Sequence, residues 1–578
     1  MNSWMLLLVI VGYLVLLFGL ASWAERHTNS RWVRHPLVYM LSLGVYCSAW
    51  TYYGSVGIAA TKGMDFLPIY LGPVIALPLW VIVLRKVLKV AKQRKVASLA
   101  DFLSMRYGNR RSIGALVAVI CLMGTVPYLS LQLKALSESY DILMGRTRTA
   151  GMPFYTDYAF YMSILGAGFA AFYGTRRTDA SEQHQGIVFT TAFESLLKLG
   201  IFMIIGAYAT FGLFDGGEDL YQRMQVHPNF EQLILFGGIE QGFTWLFTIA
   251  MSFMAIFLLP RQFQMSIVEN TDERHLKMAT WGFPLYLLLF NVFVVFLAWA
   301  GLLSVPGVTQ SDYLTLLLPL QQGQVGLALL VFIGGLSAVL SMIVVSTLAL
   351  STMVSNNLII PYGFLDRLSA DNSTLNTKFI KTIRRISIVV IVVSAYLFYV
   401  GLSTKNSLYS IGLISFVVIA QLGPAFFFGL YWSRGNSQGA LVGSLAGFLV
   451  VLYTLILPYT LDAFGNIGPL LEQGPWGLAL LRPNALLGID FLSPPAHAFF
   501  WSMALNVGLY ATVSLRGSSS SRERNYAEMV VDRQLVNNLG DGALVWKGEA
   551  YIKDIKEVLY RFLGVRKAEL SVAAFLDQ

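Results

Sequence analysis

Seven hydroxyl side chains, Ser337, Ser341, Ser346, Thr347, Ser351, Thr352 and Ser355, recur through one apolar run of the chain, from Ser337 to Asn357. Spacings of four and five residues keep most of them on one helix face. Oxygens lined up in this way suit a hard cation. They equally suit bonds back to the helix's own carbonyls, which would make the run a plain packing helix. A second run, Leu43 to Gly57, sets Gly44, Gly54 and Gly57 among hydroxyls and aromatic rings. Glycines at bilayer depth let a helix unwind, and the carbonyls and amides freed at a break bind an ion or a small polar solute where they line a cavity. The alternative is a small-residue face for close helix packing. Together the two runs lead us to expect a cation site of carbonyl and hydroxyl oxygens. Glu194 with Lys198, and Lys134 with Glu138, are pairs four residues apart. Each can neutralise itself along one helix, whereas an unpaired ionisable group at membrane depth is a functional candidate. The membrane part has no paired carboxylates, zinc-ligand spacing, phosphate-cradling loop or nucleophile elbow, so neither an enzyme nor a cofactor is expected. Cys47 and Cys121 both lie in apolar stretches and offer no disulfide framework or cysteine metal site.

These residues need a membrane around them. Of 578 residues, 56% are apolar and 13% charged, where a soluble protein has about a quarter charged. With a mean hydropathy of +0.62, a single soluble domain and a large aqueous catalytic domain are excluded. The net charge of +9 comes from basic residues that alternate with apolar spans instead of forming one patch, which argues against nucleic acid. Runs of about 20 apolar residues fit a hydrocarbon core. Thirteen are centred near residues 14, 50, 76, 125, 166, 200, 252, 292, 340, 391, 417, 450 and 505. Lys and Arg crowd alternate loops, as at Arg26 to Arg34, Arg85 to Arg111, Arg176 and Arg177, Arg261 to Lys277 and Arg367 to Arg385. The excess marks the cytoplasmic side, so the N-terminus is expected outside the cytoplasm and the C-terminus inside it. The seventh span stops at Pro260-Arg261 and begins on the opposite side from the second, five helices earlier. That offset is expected of an inverted repeat whose first helix is broken in each half. From Gly517 to Ser521 the chain reads as a flexible linker. The expected organisation is a transmembrane domain over 1–515, a linker over 516–521 and a small helical cytoplasmic domain over 522–578.

The sequence resembles the sodium/solute symporter family over about residues 1–515. The resemblance is carried by Ser48-Ala-Trp50 with Gly54 and Gly57, by Tyr128-x-x-x-Gln132-Leu-Lys-Ala135, by Ser346-Thr347, and by Gly423-Pro424 followed by Trp432-x-Arg434 and Gly439-Ala-Leu-x-Gly443. It implies an all-α polytopic membrane protein with the LeuT-type inverted-repeat fold and about 13 transmembrane helices. A closer similarity is to the transporter module of CbrA-type bacterial sensor histidine kinases, through Leu259-Pro-Arg-Gln-Phe263, Val268-Glu-Asn-Thr-Asp-Glu-Arg-His275 and Val354-Ser-Asn-Asn-Leu358. Ile552 to Gly564 looks like part of the small linker domain that joins transporter to kinase in that family. No phosphoacceptor segment or ATP-binding box follows it. The chain is therefore expected to be a piece of a longer sensor, with the kinase in cis, or a short relative that signals to a separate kinase and its response regulator.

The resemblance implies an ion site formed by the carbonyls of Gly44, Cys47 and Ile343 and the hydroxyls of Ser346 and Thr347. Tyr46 stands where proline-transporting relatives carry an acid, which leaves either Na⁺ or H⁺ as coupling ion, with Asp179, Glu182 and Glu194 the first proton carriers. Substrate contacts are implied at Tyr46, Trp50, Gln132, Ser252, Phe253, Ile256, Phe416 and Gln421. Aromatic and amide groups without a buried acid or base suit a zwitterion, so the expected solute is an amino acid, with L-histidine the leading candidate by resemblance. The expected function is a cation-coupled amino-acid transporter that relays transport or occupancy to a two-component system. The alternative is a solute receptor of the same fold that moves nothing.

Overall fold

The computed structural model describes residues 3–146, 154–174, 184–305, 310–362, 373–403, 407–463, 465, 468–531, 569 and 572–573. Hydrocarbon offers a backbone no water to bond, so a spanning segment closes its hydrogen bonds within a helix, and among the described residues there is no strand. The helices that build the body are α1 (Ser3–Arg26), α2 (Pro36–Ser42), α3 (Ser55–Lys62), α4 (Pro68–Arg94), α5 (Leu99–Arg106), α6 (Arg111–Met144), α7 (Tyr158–Gly174) and α8 (Gln185–Ala207). They continue as α9 (Gly238–Leu258), α10 (Pro260–Phe263), α11 (His275–Val292), α12 (Val294–Ser304), α13 (Val325–Met353), α14 (Ser373–Phe398), α15 (Leu408–Ala420), α16 (Gly423–Tyr431), α17 (Ser437–Val451), α18 (Pro494–Arg516) and α19 (Ser521–Val531).

Each of the thirteen apolar runs falls on a helix or a broken pair. Among the described residues nine helices are long and apolar enough to cross a membrane alone, and α15 with α16, bent by 41°, makes a tenth. The three remaining runs are α4, interrupted by Pro73 and Pro78, the short α7, and the second span, which is broken.

The break in the second span is local and sharp. α2 ends at Ser42, a tight turn follows over Leu43–Tyr46, and Cys47 is extended at φ −80°, ψ 95°. The chain then winds through a wide turn, Trp50–Gly54, into α3. Gly44 is required at the turn because α8 and α11 press on it: a Cβ there would lie 2.8 Å from Ser195 Oγ and 3.0 Å from the Tyr286 ring. The seventh span breaks at Leu259, whose ψ of 128° ends α9. α10 restarts with Pro260 at its first position, where the missing N–H forfeits no helical bond. The two breaks meet, with Gln262 Nε2 donating to Leu43 O at 3.4 Å. α13 runs through the centre and is almost wholly buried. Gly334 and Gly335 on it leave room for the Tyr52 and Tyr53 rings, which a Cβ at either position would strike.

The linker expected at 516–521 and the beginning of the expected cytoplasmic domain belong to the first compact unit, Met1–Asp532; the second is Arg533–Gln578. Most of the second unit, including Ile552 to Gly564, lies outside the described residues. α19 is docked through one carboxylate. Glu523 accepts from Ser437 N (3.2 Å) and Ser520 N (3.0 Å) and pairs with Arg110 Nε at 3.4 Å, with its side chain 4% exposed. Lys86 Nζ donates to Leu430 O (2.7 Å) and to Val531 O (3.0 Å) at the far end. Burial pushes the Glu523 carboxyl up, but the hydrogen bonds from Ser437 and Ser520 and the Arg110 charge outweigh it and hold the group below the usual carboxylate range. A depressed folded value means its contribution is complete above the ordinary carboxylate range and is lost as pH falls through the lowered value. Glu523→Ala leaves two amides without acceptors, a docking loss of about 1–3 kcal/mol. Hydrogen exchange over 521–531 is expected to accelerate in that variant, and unchanged protection would show that α19 is held by other contacts.

Candidate functional site

The site grows from the first break. Two of its carbonyls accept from Lys198 Nζ: Gly44 O at 2.8 Å, which also accepts from Cys47 N at 3.0 Å, and Cys47 O. Lys198 is 0% exposed on α8. The ammonium thus bonds the break and makes no ion pair with Glu194, in place of the pair along α8 that the spacing offered. Glu194 instead accepts from Tyr13 of α1 at 3.5 Å. Lys134 and Glu138 do form the expected pair, at 3.6 Å. On the other side of the break Gln132 Oε1 accepts from Ala49 N at 3.1 Å, while its Nε2 donates to Tyr128 O. Ser48 Oγ and Tyr128 Oη share a hydrogen bond of 2.9 Å.

The hydroxyl row on α13 mostly serves its own helix. Thr347 Oγ1 donates to Ile343 O (2.7 Å) and Val344 O, Ser346 Oγ reaches only Met342 Sδ at 3.6 Å, and Ser341 and Ser351 bond back in the same way. The Gly44 and Cys47 carbonyls therefore face Lys198, while Ile343 O, Ser346 and Thr347 are engaged within α13.

Beside the break lies a cluster of buried aromatic rings. The Tyr46 ring is 6.4 Å from both Phe283 and Phe416, and Tyr128 stacks on Phe416 at 6.2 Å. Trp50 stacks on Tyr409 at 5.5 Å, its indole Nε1 buried without an acceptor. Ile256 is buried on α9, and Ser252 donates to Pro68 O on α4. Two of the expected contacts lie elsewhere. Phe253 packs on Phe257 and Phe427, and Gln421 is taken up by Ser502 and Asn506 of α18. Asp179 and Glu182 lie outside the described residues.

Arg261 was assigned by charge to a loop, and the structure buries it against the aromatic cluster. Its side chain is 0% exposed on α10 with the guanidinium 4.2 Å from the Tyr128 ring centre. Among the described residues no acceptor stands within hydrogen-bond geometry of Nε, Nη1 or Nη2, and the Tyr128 side chain is the polar neighbour of the group. The ring face offers a cation–π contact, but five N–H donors of a group that keeps its proton remain unanswered. The expected absence of a buried base is therefore corrected. The signal was present in Leu259-Pro260-Arg261, because a proline suited to the first turn of a helix marks a restart, which puts Arg261 inside the second half-helix. A buried fork of this kind suits a carboxylate, bound through two parallel hydrogen bonds. Arg261→Met is expected to abolish binding of a carboxylate solute, a loss of about 2–5 kcal/mol, without lowering the melting temperature of the solute-free protein, since it removes an uncompensated buried charge. A fall in both would assign Arg261 a structural role.

By sequence, residues 285–447 match the Sodium:solute symporter family. The uncharacterized symporter YhjB of Bacillus subtilis (strain 168) is 26% identical over 464 residues, 79% of this chain and 87% of that protein. The uncharacterized symporter YodF of the same organism is 25% identical over 446 residues, 77% of this chain and 82% of that one. Among solved structures, the substrate-bound, outward-open state of a Na⁺-coupled sialic acid symporter is similar with a TM-score of 0.62 at 12% identity, covering 89% of this chain and 98% of its own. The broken spans and this likeness give the LeuT-type fold, in a chain whose residues 285–447 match the Sodium:solute symporter family and which is similar to symporters over more than three quarters of its length.

Proposed function

We propose that the protein is a secondary transporter that moves a carboxylate-bearing solute, an amino acid in the first instance, across a bacterial inner membrane by alternating access at the expense of a Na⁺ or H⁺ gradient. The observation that carries this reading is Arg261, a fully buried guanidinium with unanswered donors against an aromatic cluster between two broken helices. A zwitterion satisfies both features: its carboxylate takes the Arg261 fork and its side chain stacks among Tyr46, Tyr128 and Phe416. L-histidine is the first solute to test, on the resemblance to CbrA-type modules, and sialic acid belongs beside it as the solute of the structural neighbour. With the N-terminus outside the cytoplasm, as the basic loops imply, the tail after α18 is cytoplasmic and relays transport or occupancy to a histidine kinase and its response regulator.

A second reading is favoured by the docking of α19 through Glu523, which ties the beginning of the tail to the helical body. In it the same site senses solute for the kinase and moves nothing. The deciding measurement is uptake of radiolabelled histidine, other amino acids and sialic acid into proteoliposomes under imposed Na⁺ and H⁺ gradients. Accumulation of more than one solute per protein is expected for the transporter. Saturable binding without uptake under either gradient would instead make the protein a receptor.

A further inference from the structure

We infer that the protein carries a seat for an anionic phospholipid, in a cavity of about 1160 Å³ where the start of α11 meets the end of α4 and the segment before α2. None of the residues that line it belongs to the second break or to the rings around Arg261, and the inference stands whether the protein transports or senses. Five basic side chains line the cavity: Arg34 before α2, Arg85 and Lys92 on α4, and Arg274 and Lys277 at the start of α11. Arg85 and Lys92 stand two helical turns apart on one face of α4, and Arg274 and Lys277, three residues apart, are neighbours on α11. Two carboxylates answer them in part. Glu273 comes no closer to Arg85 than 3.9 Å, and Asp272 accepts from the backbone, from Arg274 N at 2.9 Å. His275 also lines the cavity; it is 8% exposed, and its Nδ1 has no hydrogen-bond partner among the described residues. A phosphate group supplies both what the excess positive charge and what the buried imidazole lack, since its oxygens accept charge-assisted bonds from several donors at once.

The surroundings of the cavity favour a lipid over a soluble anion. Trp281 and Val81 line it too, and both are exposed, Trp281 at 60%. From Trp281 the exposed face of α11 continues through Leu285, Leu288 and Val292, a spacing that keeps them on one side of the helix. On α4 the exposed apolar face runs from Ile82 through Leu79 to Ile75, and the two helices pack on each other. Two apolar stripes thus start beside one basic cavity. A phospholipid uses both features, its phosphate among the basic side chains and its acyl chains along the stripes, whereas a soluble phosphate compound uses only the first. Tryptophan settles by preference at headgroup level, and basic pockets between spanning helices at that level recognise lipid phosphates. Lys92 Nζ already donates to Asn270 Oδ1 at 3.1 Å, fastening α4 to the segment before α11. A phosphate bound beside it extends that tie to Arg34, so the lipid braces the segment before α2, α4 and α11 together.

The test uses the full chain, purified in a neutral detergent and stripped of lipid. Its melting temperature is followed as phosphatidylglycerol, phosphatidylcholine or inorganic phosphate is titrated in at equal ionic strength. We expect a saturable rise with phosphatidylglycerol and none with the other two. Equal rises with the two lipids would overturn the inference. A rise with inorganic phosphate as large as that with phosphatidylglycerol would assign the cavity to a soluble anion and overturn it as well. Arg274→Gln combined with Lys277→Gln is expected to weaken the apparent Kd for phosphatidylglycerol roughly 30-fold. Lys378→Gln combined with Lys381→Gln removes the same charge from α14, outside the cavity, and is expected to leave the apparent Kd unchanged. Equal weakening by both pairs would reduce the effect to net charge and remove the seat. Should the first pair fail to fold, the wild-type titrations decide alone.

Discussion

A helix interrupted within a membrane exposes carbonyls and amides that lipid cannot satisfy, at several kcal/mol for each group left unpaired. The architecture of this protein answers that constraint at one place. Lys198 from α8 takes Gly44 O and Cys47 O, Gln132 from α6 takes Ala49 N, and Gln262 from α10 reaches Leu43 O. Three helices distant in sequence are thereby pinned to one turn of backbone. Removing Gln132 leaves the buried Ala49 amide without its acceptor, so the packing of α6 on the break rests on a polar bond as well as on apolar contact.

Charge follows from the same arrangement. With the lysine on the carbonyls, Glu194 is left to Tyr13, and the Arg261 guanidinium lies over the Tyr128 ring. An unpaired buried cation weakens the solute-free protein. The same charge strengthens the bound state, because a carboxylate that enters relieves a strain already built in. Affinity and marginal stability then have one origin.

Much of this was legible in the sequence. Hydropathy located the nine long apolar helices and the bent pair, since lipid imposes a length and a composition on each helix. Gly44, Gly54 and Gly57 announced a break, and the odd offset of five spans from one break to the other pointed to an inverted repeat. Side-chain partners were less legible. Glu194 and Lys198 have the spacing of a helical pair, but hydrogen bonds to carbonyls at the break compete for the ammonium, and spacing along one helix says nothing about a neighbouring break. Arg261 followed an apolar run and a proline, the pattern of a membrane edge, although the same pattern opens a half-helix. The hydroxyls of α13 could serve an ion or their own backbone, and only the packed structure shows most of them bonding back. Gln421 has an amide fit for a solute, yet α18, more than 70 residues later, supplies Ser502 and Asn506 to occupy it.

The Glu523 carboxylate joins elements that are far apart in the chain: Arg110 at the entry to α6, Ser437 at the first turn of α17, and Ser520 before α19. Lys86 closes the other end of α19 against α4 and α16. Any rearrangement that separates the start of α6 from the start of α17 must break at least one of these bonds. α19 is therefore a latch whose free energy adds to that of the arrangement seen here. By thermodynamic reciprocity, a core that has rearranged grips the latch less tightly, and a latch held away makes the rearrangement easier by the same amount.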